Sequence, residues 1–196
     1  RDKVAVLVDV GYLTTEVLFI QGDALIRYKV LPMGGGHLAA DLAMELGITM
    51  DMAEELKRKY TFGIGQDQLS VKDPEGQTVS FHRENVLAVI EPRVAELSDM
   101  VHDAIEEDAS LLSPRSTFYI TGGGLILMRG GRETISSVVE RTFRAPTPPA
   151  VKLNSPAYSS AIGLLELVYE SVSQMEIKPQ ESGGKIGGFF KAFFTK

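Results

Sequence analysis

Three glycine-containing turns, each at the end of an apolar, strand-like run, constrain the fold of this 196-residue chain more than any other feature. The runs cover residues 4–11, 24–31 and 116–121, and the second and third lead into glycines at 34–36 and 122–124. Segments with helical spacing separate the strands, which predicts an α/β layer with helices on a mixed sheet and a smaller α+β insertion. Glycine lets a backbone approach a ligand closely, and free N–H groups in such turns can hold phosphate oxygens.

The remaining elements follow from apolar periodicity. We predict strands at 4–11, 14–20, 24–31 and 116–121, with a hairpin turn at 21–23 and a two-stranded ribbon within 60–83. We predict helices at 37–46, 52–59, 84–108, 131–142 and 156–173. Either Thr49 or Asp51 is expected to cap the second helix, and Pro92 interrupts the long helix.

Composition excludes several classes of function. The chain has no cysteine, which excludes a disulfide scaffold and a thiolate metal site, and its three histidines are too dispersed to suggest a metal centre. A formal charge of −6 disfavours a general nucleic-acid binder. No apolar run approaches the roughly 18 residues that cross a bilayer, and no signal peptide opens the chain. We therefore expect a soluble, cytoplasmic protein.

Each turn also has a plainer interpretation. Asp9, at the end of a strand, is suited to orienting a metal-bound water, but it also fits a hairpin with a capping aspartate. The glycines at 34–36 suit a flexible strand-to-helix turn as well as a ligand contact. Taken singly, the motifs leave these alternatives open.

The chain contains in sequence Asp-x-Gly-x-x-Thr-Thr, Gly-Gly-x-His-x-x-x-Asp-Leu-Ala, Ala-Glu-x-Leu-Lys and Thr-Gly-Gly-Gly. It also contains Ile-Glu-Pro-Arg at 90–93 and Ser-Pro-Ala-Tyr at 155–158. The order of these motifs resembles the second half of the FtsA family, bacterial cell-division proteins of the actin-like ATPase superfamily. The resemblance implies an actin-like, ribonuclease-H-like lobe, with subdomain 2A at 1–32 and 116–173 and subdomain 2B inserted at 33–115.

The resemblance also implies ATP with Mg²⁺ in a cleft between two lobes. The residues it assigns to the phosphates are Asp9, Gly11, Thr14, Thr15, Gly34 and Gly35. Glu54 and Lys57, one helical turn apart, would face ribose and adenine, and Gly122, Gly123 and Gly124 would pass under the nucleoside.

The chain departs from the family pattern in ways that argue against efficient hydrolysis. Tyr12 and Leu13 replace two glycines of the phosphate turn, and Ala39 stands where the family usually has threonine. The sequence lacks the lobe with the other phosphate loop and subdomain 1C. One lobe of a two-lobed site is expected to bind ATP poorly and not to act as an enzyme. Either the chain is a fragment, which its start at a core strand favours, or the other half is on a second polypeptide.

The end of the chain differs in kind from the rest. Residues 174–184 are polar and predict a flexible linker, and residues 185–196 predict an amphipathic helix. Ile186 and four phenylalanines fall within an arc of roughly 140° at 100° per residue. This pattern is typical of an interfacial membrane anchor, which the polar linker and the lysines favour over a helix that docks on the chain's own core or on a partner. The residues expected to contact the membrane are Lys185, Ile186, Phe189, Phe190, Lys191, Phe193 and Phe194. The FtsA family also ends in such a helix.

In that family, subdomain 2B binds the carboxyl-terminal tail of the tubulin-like protein FtsZ. Arg93 matches the family's Pro-Arg motif, and Arg83, Asn85 and Lys59 are expected neighbours. A guanidinium suits acidic tail residues, although Arg93 is also compatible with a solvated helix charge. Self-association into filaments is expected of the intact protein, and no nucleic-acid partner is expected.

Three functions therefore compete. The first is an adaptor that tethers FtsZ filaments to the inner face of the cell membrane at the division site. The second is an ATPase, against which Tyr12 and Leu13 argue. The third is another actin-like scaffold, such as a PilM-like pilus-assembly protein, a family that lacks the terminal amphipathic helix.

Overall fold

The computed structural model describes residues 3–146 and 155–174. Seven strands are present: β1 Val4–Val10, β2 Thr15–Gln21, β3 Ala24–Leu31, β4 Gln68–Lys72, β5 Thr78–His82, β6 Thr117–Thr121 and β7 Phe143–Arg144. Five α-helices are present among these residues: α1 Gly35–Leu46, α2 Met50–Lys59, α3 Arg83–Glu106, α4 Gly131–Val139 and α5 Ser159–Gln174. This arrangement confirms the predicted α/β class.

A five-stranded mixed sheet carries the fold. Its strand order is β3-β2-β1-β6-β7, with β1, β2 and β3 antiparallel and β1, β6 and β7 parallel. The hairpin between β2 and β3 turns at Gly22, which has a φ of +61°. Because β1 and β6 are parallel neighbours, their carboxyl ends, and the glycine turns that follow them, lie at the same sheet edge.

The core lies between one face of this sheet and the helices. Strand β1 alternates buried and half-buried residues along its whole length, as expected for a strand with one covered face. The predicted apolar stripe of α3 is buried, with Val86, Ile90, Val94 and Leu97 fully excluded from solvent. The two strands β4 and β5 form the predicted ribbon as a separate antiparallel sheet.

Some boundaries differ from the prediction. The Thr49 hydroxyl accepts a hydrogen bond from the N–H of Met52 at 3.3 Å, so Thr49 rather than Asp51 caps α2. Helix α4 ends at Val139, short of the predicted 142, because Glu140 adopts a left-handed φ of 55° and stops the helix. Strand β7 was not expected, since two residues carry no periodic signal.

The chain divides into two compact units, residues 1–160 and 161–196. Of the second unit, the structure describes only residues 161–174 of α5, where Leu164 and Leu167 are exposed. Residues 175–184 of the predicted linker and the predicted amphipathic helix at 185–196 lie outside the described residues. The subdomain boundaries at 32–33 and 115–116 stay predictions. Within the described part, no helix has the length and apolarity needed to cross a membrane.

Candidate functional site

The three glycine turns meet at one sheet edge. The N–H of Gly35, at the start of α1, donates to the carbonyl of Gly11 at 2.9 Å. The N–H of Gly124, after β6, donates to the carbonyl of Val10 at 2.8 Å. Backbone hydrogen bonds therefore hold the ends of β1 and β6 and the first turn of α1 against one another.

Only glycine fits where these backbones cross. A Cβ atom on Gly35 would lie 2.4 Å from the Cα of Gly124, and one on Gly124 would lie 2.2 Å from the carbonyl oxygen of Gly11. Gly122 has a φ of +94°, and a Cβ there would lie 2.2 Å from the carbonyl oxygen of Val10. The neighbours are backbone atoms that cannot rotate away, so the glycines are required by close approach as well as by conformation.

A cavity of about 370 Å³, the glycine-lined cavity, opens beside this crossing. The predicted nucleotide residues that line it are Asp9, Gly11, Thr14, Glu54, Lys57, Gly122, Gly123 and Gly124. The lining residues that were not assigned to the site are Tyr12, Glu16, Arg58, Leu127, Pro156, Ala157 and Ser160. The structure thus brings residues of the first turn, the third turn and α2 together at one cavity, and their role in nucleotide binding stays a prediction.

Three predicted residues lie behind the cavity instead of lining it. Thr15 is fully buried, and its hydroxyl donates to the carbonyl of Met33 at 2.8 Å. The N–H of Gly34 donates to Nδ1 of His37 at 3.2 Å, and the N–H of Gly35 is bonded to the first turn. The structure therefore places Thr15, Gly34 and Gly35 as supports of the turn and not at the cavity surface.

The first turn, residues 11–14, contributes Gly11, Tyr12 and Thr14 to the lining of the cavity. The N–H of Gly11 bonds to the carbonyl of Thr14 at 2.9 Å, whereas no hydrogen bond within the described residues engages the N–H groups of Tyr12, Leu13 and Thr14. Tyr12 and Leu13 are 53% and 62% exposed. The Tyr12 ring lies against Gly36, where an added Cβ would be 2.8 Å from the ring.

A turn near residue 157 closes another side of the cavity. The carboxylate of Asp9 accepts a hydrogen bond from the Ser160 hydroxyl at 2.8 Å. Thr121, at the end of β6, shares a hydrogen bond of 2.5 Å with the Ser159 hydroxyl. The Ser-Pro-Ala-Tyr motif was visible in the sequence, but its distance along the chain from the glycine turns concealed its place at the same site.

Lys57 is a buried cation beside the cavity. Its side chain is 1% exposed, and its ammonium lies 2.6 Å from the carboxylate of Glu54 and donates to the Gly35 carbonyl at 3.0 Å. Burial lowers the pKa of Lys57, and the hydrogen bond with Glu54 opposes that shift. Arg58 also contacts Glu54, at 2.8 Å, on the same helix, and the bond from Lys57 to Gly35 attaches α2 to the start of α1.

The four predicted partner residues separate into two groups. Arg93 forms ion pairs with Asp41 at 2.5 Å and Glu96 at 2.8 Å, and the hydrogen bond with Asp41 raises the pKa of Arg93. With Asn85, Arg93 lines an open cavity of about 560 Å³, the Arg93 cavity. Lys59 and Arg83 line a different cavity, so the structure does not bring all four together.

No group of three or more histidine, aspartate and glutamate side chains in residues 3–146 and 155–174 is arranged to hold a metal ion. The predicted membrane residues lie outside the described part of the chain: Lys185, Ile186, Phe189, Phe190, Lys191, Phe193 and Phe194.

Solved structures share this fold at low sequence identity. An MreB protein of Spiroplasma citri bound to ADP matches with a TM-score of 0.67 and 15% identity, covering 90% of this chain and 56% of that one. The PilM-PilN type IV pilus biogenesis complex matches with a TM-score of 0.65 and 21% identity, over 85% of this chain and 46% of that one. The lobe is therefore actin-like, as predicted.

Sequence comparison identifies the family. The model of the family described as "Cell division protein FtsA" matches residues 6–163. FtsA of Staphylococcus epidermidis is 28% identical over 167 residues, covering 82% of this chain and 36% of the relative. FtsA of Escherichia coli is 27% identical over 188 residues, covering 87% of this chain and 45% of the relative. The chain thus spans less than half the length of these relatives. It belongs to the FtsA family of cell division proteins and has their actin-like fold.

Proposed function

We propose that this chain is the second lobe of an adaptor that holds nucleotide in the glycine-lined cavity and tethers FtsZ filaments to the cytoplasmic membrane. The observation that carries the nucleotide part is the crossing of three glycine turns at one sheet edge. Membership of the FtsA family supports the adaptor part, which remains a proposal because the chain matches only part of each relative.

The lining residues suit a magnesium nucleotide. The volume of about 370 Å³ lies at the lower end of ordinary small-molecule sites. The unengaged N–H groups of residues 12–14 are suited to phosphate oxygens, and Asp9 is suited to orienting water on Mg²⁺. Glu54 and Gly123 line the same cavity, and the family resemblance assigns them to ribose and the nucleoside. The structurally similar MreB protein, which was solved with ADP, supports this assignment.

We infer that the chain binds nucleotide without efficient turnover. Side chains at Tyr12 and Leu13 stand where the family usually has glycine, and they would crowd the backbone against the γ-phosphate. Steady phosphate release from ATP and Mg²⁺ above the buffer rate would overturn this inference in favour of an ATPase.

The Arg93 cavity is the proposed site for the acidic FtsZ tail. Arg93 retains 30% side-chain exposure, and its carboxylate partners Asp41 and Glu96 are also accessible, so an incoming carboxylate can exchange with them. Asn85 adds an amide to the same surface.

Binding of an FtsZ tail peptide, measured by fluorescence anisotropy, tests this site. We expect Arg93→Glu to weaken binding about tenfold or more, because it replaces an attraction by a repulsion. Arg132→Glu is the matched control, since Arg132 is also a helix arginine paired with a glutamate but lies elsewhere. Equal affinity of Arg93→Glu and wild type would remove Arg93 from the site, and absence of binding by the wild type would count against the adaptor.

Membrane attachment is proposed for residues 185–196, whose sequence combines an aromatic face with lysines. Two glycines lower its intrinsic helicity by roughly 1 kcal/mol each, so one copy should bind weakly and several in a filament more tightly. The structurally similar MamK double helical filament supports self-association (TM-score 0.62 and 16% identity over 86% of this chain and 55% of that chain). These features support the proposal that the adaptor acts on the inner face of the membrane at the division site.

The alternative is a PilM-like scaffold, which the fold alone supports. Deletion of residues 185–196 separates the two. We expect the deletion to abolish co-sedimentation with anionic vesicles if the chain is the adaptor, whereas unchanged co-sedimentation would favour the alternative.

A further inference from the structure

A cavity of about 440 Å³, the basic cavity, is lined by three cations from separate parts of the chain. Lys59 ends α2, Arg83 begins α3 and Arg129 lies just before α4. None of the described residues that line it is acidic. Neither Arg93 nor Asn85 lines it, so it differs from the proposed site of the FtsZ tail.

Backbone contacts hold the walls of the basic cavity in place. The N–H of Phe62 donates to the carbonyl of Arg129 at 3.0 Å, and Thr61 pairs with Arg129 as an isolated parallel bridge. The Arg83 guanidinium donates to the carbonyls of Thr61 at 3.1 Å and Gly63 at 2.5 Å. The backbone at Arg129 and the side chain of Arg83 are therefore held by contacts that exist before a ligand binds.

Two of the three charges are not compensated within the described residues. Neither Arg83 nor Arg129 forms a salt bridge there, and Nε of Arg83 is buried without a hydrogen-bond partner. The Arg83 guanidinium lies 5.2 Å from the centre of the Tyr60 ring, which does not neutralise it. Lys59 is the exception, because its ammonium contacts Glu55 at 2.6 Å. Concave sites with one sign of charge concentrate the opposite charge.

The other lining groups favour a protein segment over a small anion. Ile64 is 98% exposed at this cavity, which offers an apolar contact that phosphate cannot use. Residues 68–70 of β4 also line it, and β4 has only β5 as a strand neighbour among the described strands. The Lys59 ammonium already donates to the Ser70 carbonyl at 2.6 Å, so an incoming chain would exchange with that contact. An extended chain can combine backbone contact at a strand edge with side-chain contacts on both sides.

We propose that the basic cavity is a docking site for an extended, carboxylate-rich protein segment that also carries apolar side chains. The carboxylates contact Arg83 and Arg129, and the apolar side chains contact Ile64. This second partner site stands independently of nucleotide binding and of the Arg93 cavity.

The test uses the full chain and a fluorescein-labelled peptide in which glutamate alternates with leucine. We expect Arg129→Glu to weaken binding about tenfold, since an attraction becomes a repulsion. Arg129 is exposed, so the substitution should leave the fold intact. Arg115→Glu, at an exposed arginine without a described salt bridge, makes the same change of net charge and should alter affinity less than about twofold.

Further variants and competitors decide between this proposal and its rivals. Lys59→Glu should weaken binding in the same direction as Arg129→Glu, and Arg93→Glu should leave it unchanged. A peptide with lysine in place of glutamate should not bind. The proposal is overturned by equal losses for Arg129→Glu and Arg115→Glu, or by displacement of the peptide at low concentrations of inorganic phosphate. Anionic vesicles that bind through Arg129 but leave the peptide unbound would assign the cavity to lipid.

Discussion

Replacement of Gly124 by alanine tests whether the three turns must cross as closely as they do. The added Cβ would lie 2.2 Å from the carbonyl oxygen of Gly11, 2.8 Å from that of Val10 and 2.9 Å from the N–H nitrogen of Gly35. All three neighbours are backbone atoms, so no side-chain rotation relieves the contact. The turns must separate.

The cost follows from what that separation breaks. Overpacking of this kind costs roughly 1–3 kcal/mol. The hydrogen bonds that join the turns, from Gly124 to Val10 and from Gly35 to Gly11, contribute about 1 kcal/mol each when lost. We therefore expect Gly124→Ala to lower the free energy of unfolding by about 3–5 kcal/mol, a large part of the stability of an ordinary domain.

Urea unfolding followed by far-ultraviolet circular dichroism measures this change. Gly163→Ala is the control, because Gly163 lies within α5 and a Cβ there meets no atom within 4 Å. Alanine in a helix interior should be neutral or stabilise by up to about 1 kcal/mol. A loss below about 1 kcal/mol for Gly124→Ala, or an equal loss for both variants, would refute the close crossing.

Two further predictions concern charged groups. Lys57→Met removes the hydrogen bond to Gly35 and one contact of Glu54, while the methionine side chain keeps the apolar burial. We expect the free energy of unfolding, measured in urea, to fall by about 1–3 kcal/mol. An unchanged urea midpoint would contradict the structural role of Lys57. The hydrogen bond from Lys29 lowers the pKa of Asp108 below its ordinary 3.8, so this carboxylate stabilises the fold above that pH and loses its effect as pH falls through the lower, folded value. Asp108→Asn should therefore destabilise at neutral pH and converge with wild type in acid, and a pH-independent difference in unfolding midpoint would contradict it.

Periodic features of this fold were predictable from the sequence. The stripe through Val86, Ile90 and Val94 follows helical spacing and is buried as expected. The close approach at Gly124 was predictable in kind, since a glycine turn after a buried strand permits it. The residues that lie behind the cavity could be placed only from the three-dimensional structure. Thr15 lies on the same covered face of β2 as Val17, which directs its hydroxyl to the core and away from a ligand.

The positions of the proposed partner-binding arginines could not be predicted from the sequence pattern. Arg83 and Arg93 lie on the same helix, and from the sequence we predicted that both contact the same partner. The Arg83 side chain instead bonds to carbonyls of the loop at 61–63, while Arg93 pairs with Asp41 of α1. Because these contacts join segments far apart in the sequence, no local pattern predicts which cavity each guanidinium faces.

Recruitment of FtsZ to membranes tests the proposed adaptor most directly. Anionic vesicles, FtsZ filaments and this chain are mixed and sedimented. We expect FtsZ in the vesicle pellet when the complete chain is present, and in solution when residues 185–196 are deleted. With Arg93→Glu, we expect the chain in the pellet and FtsZ in solution. FtsZ that sediments equally with the shortened chain, or that stays in solution with the complete one, would contradict the account.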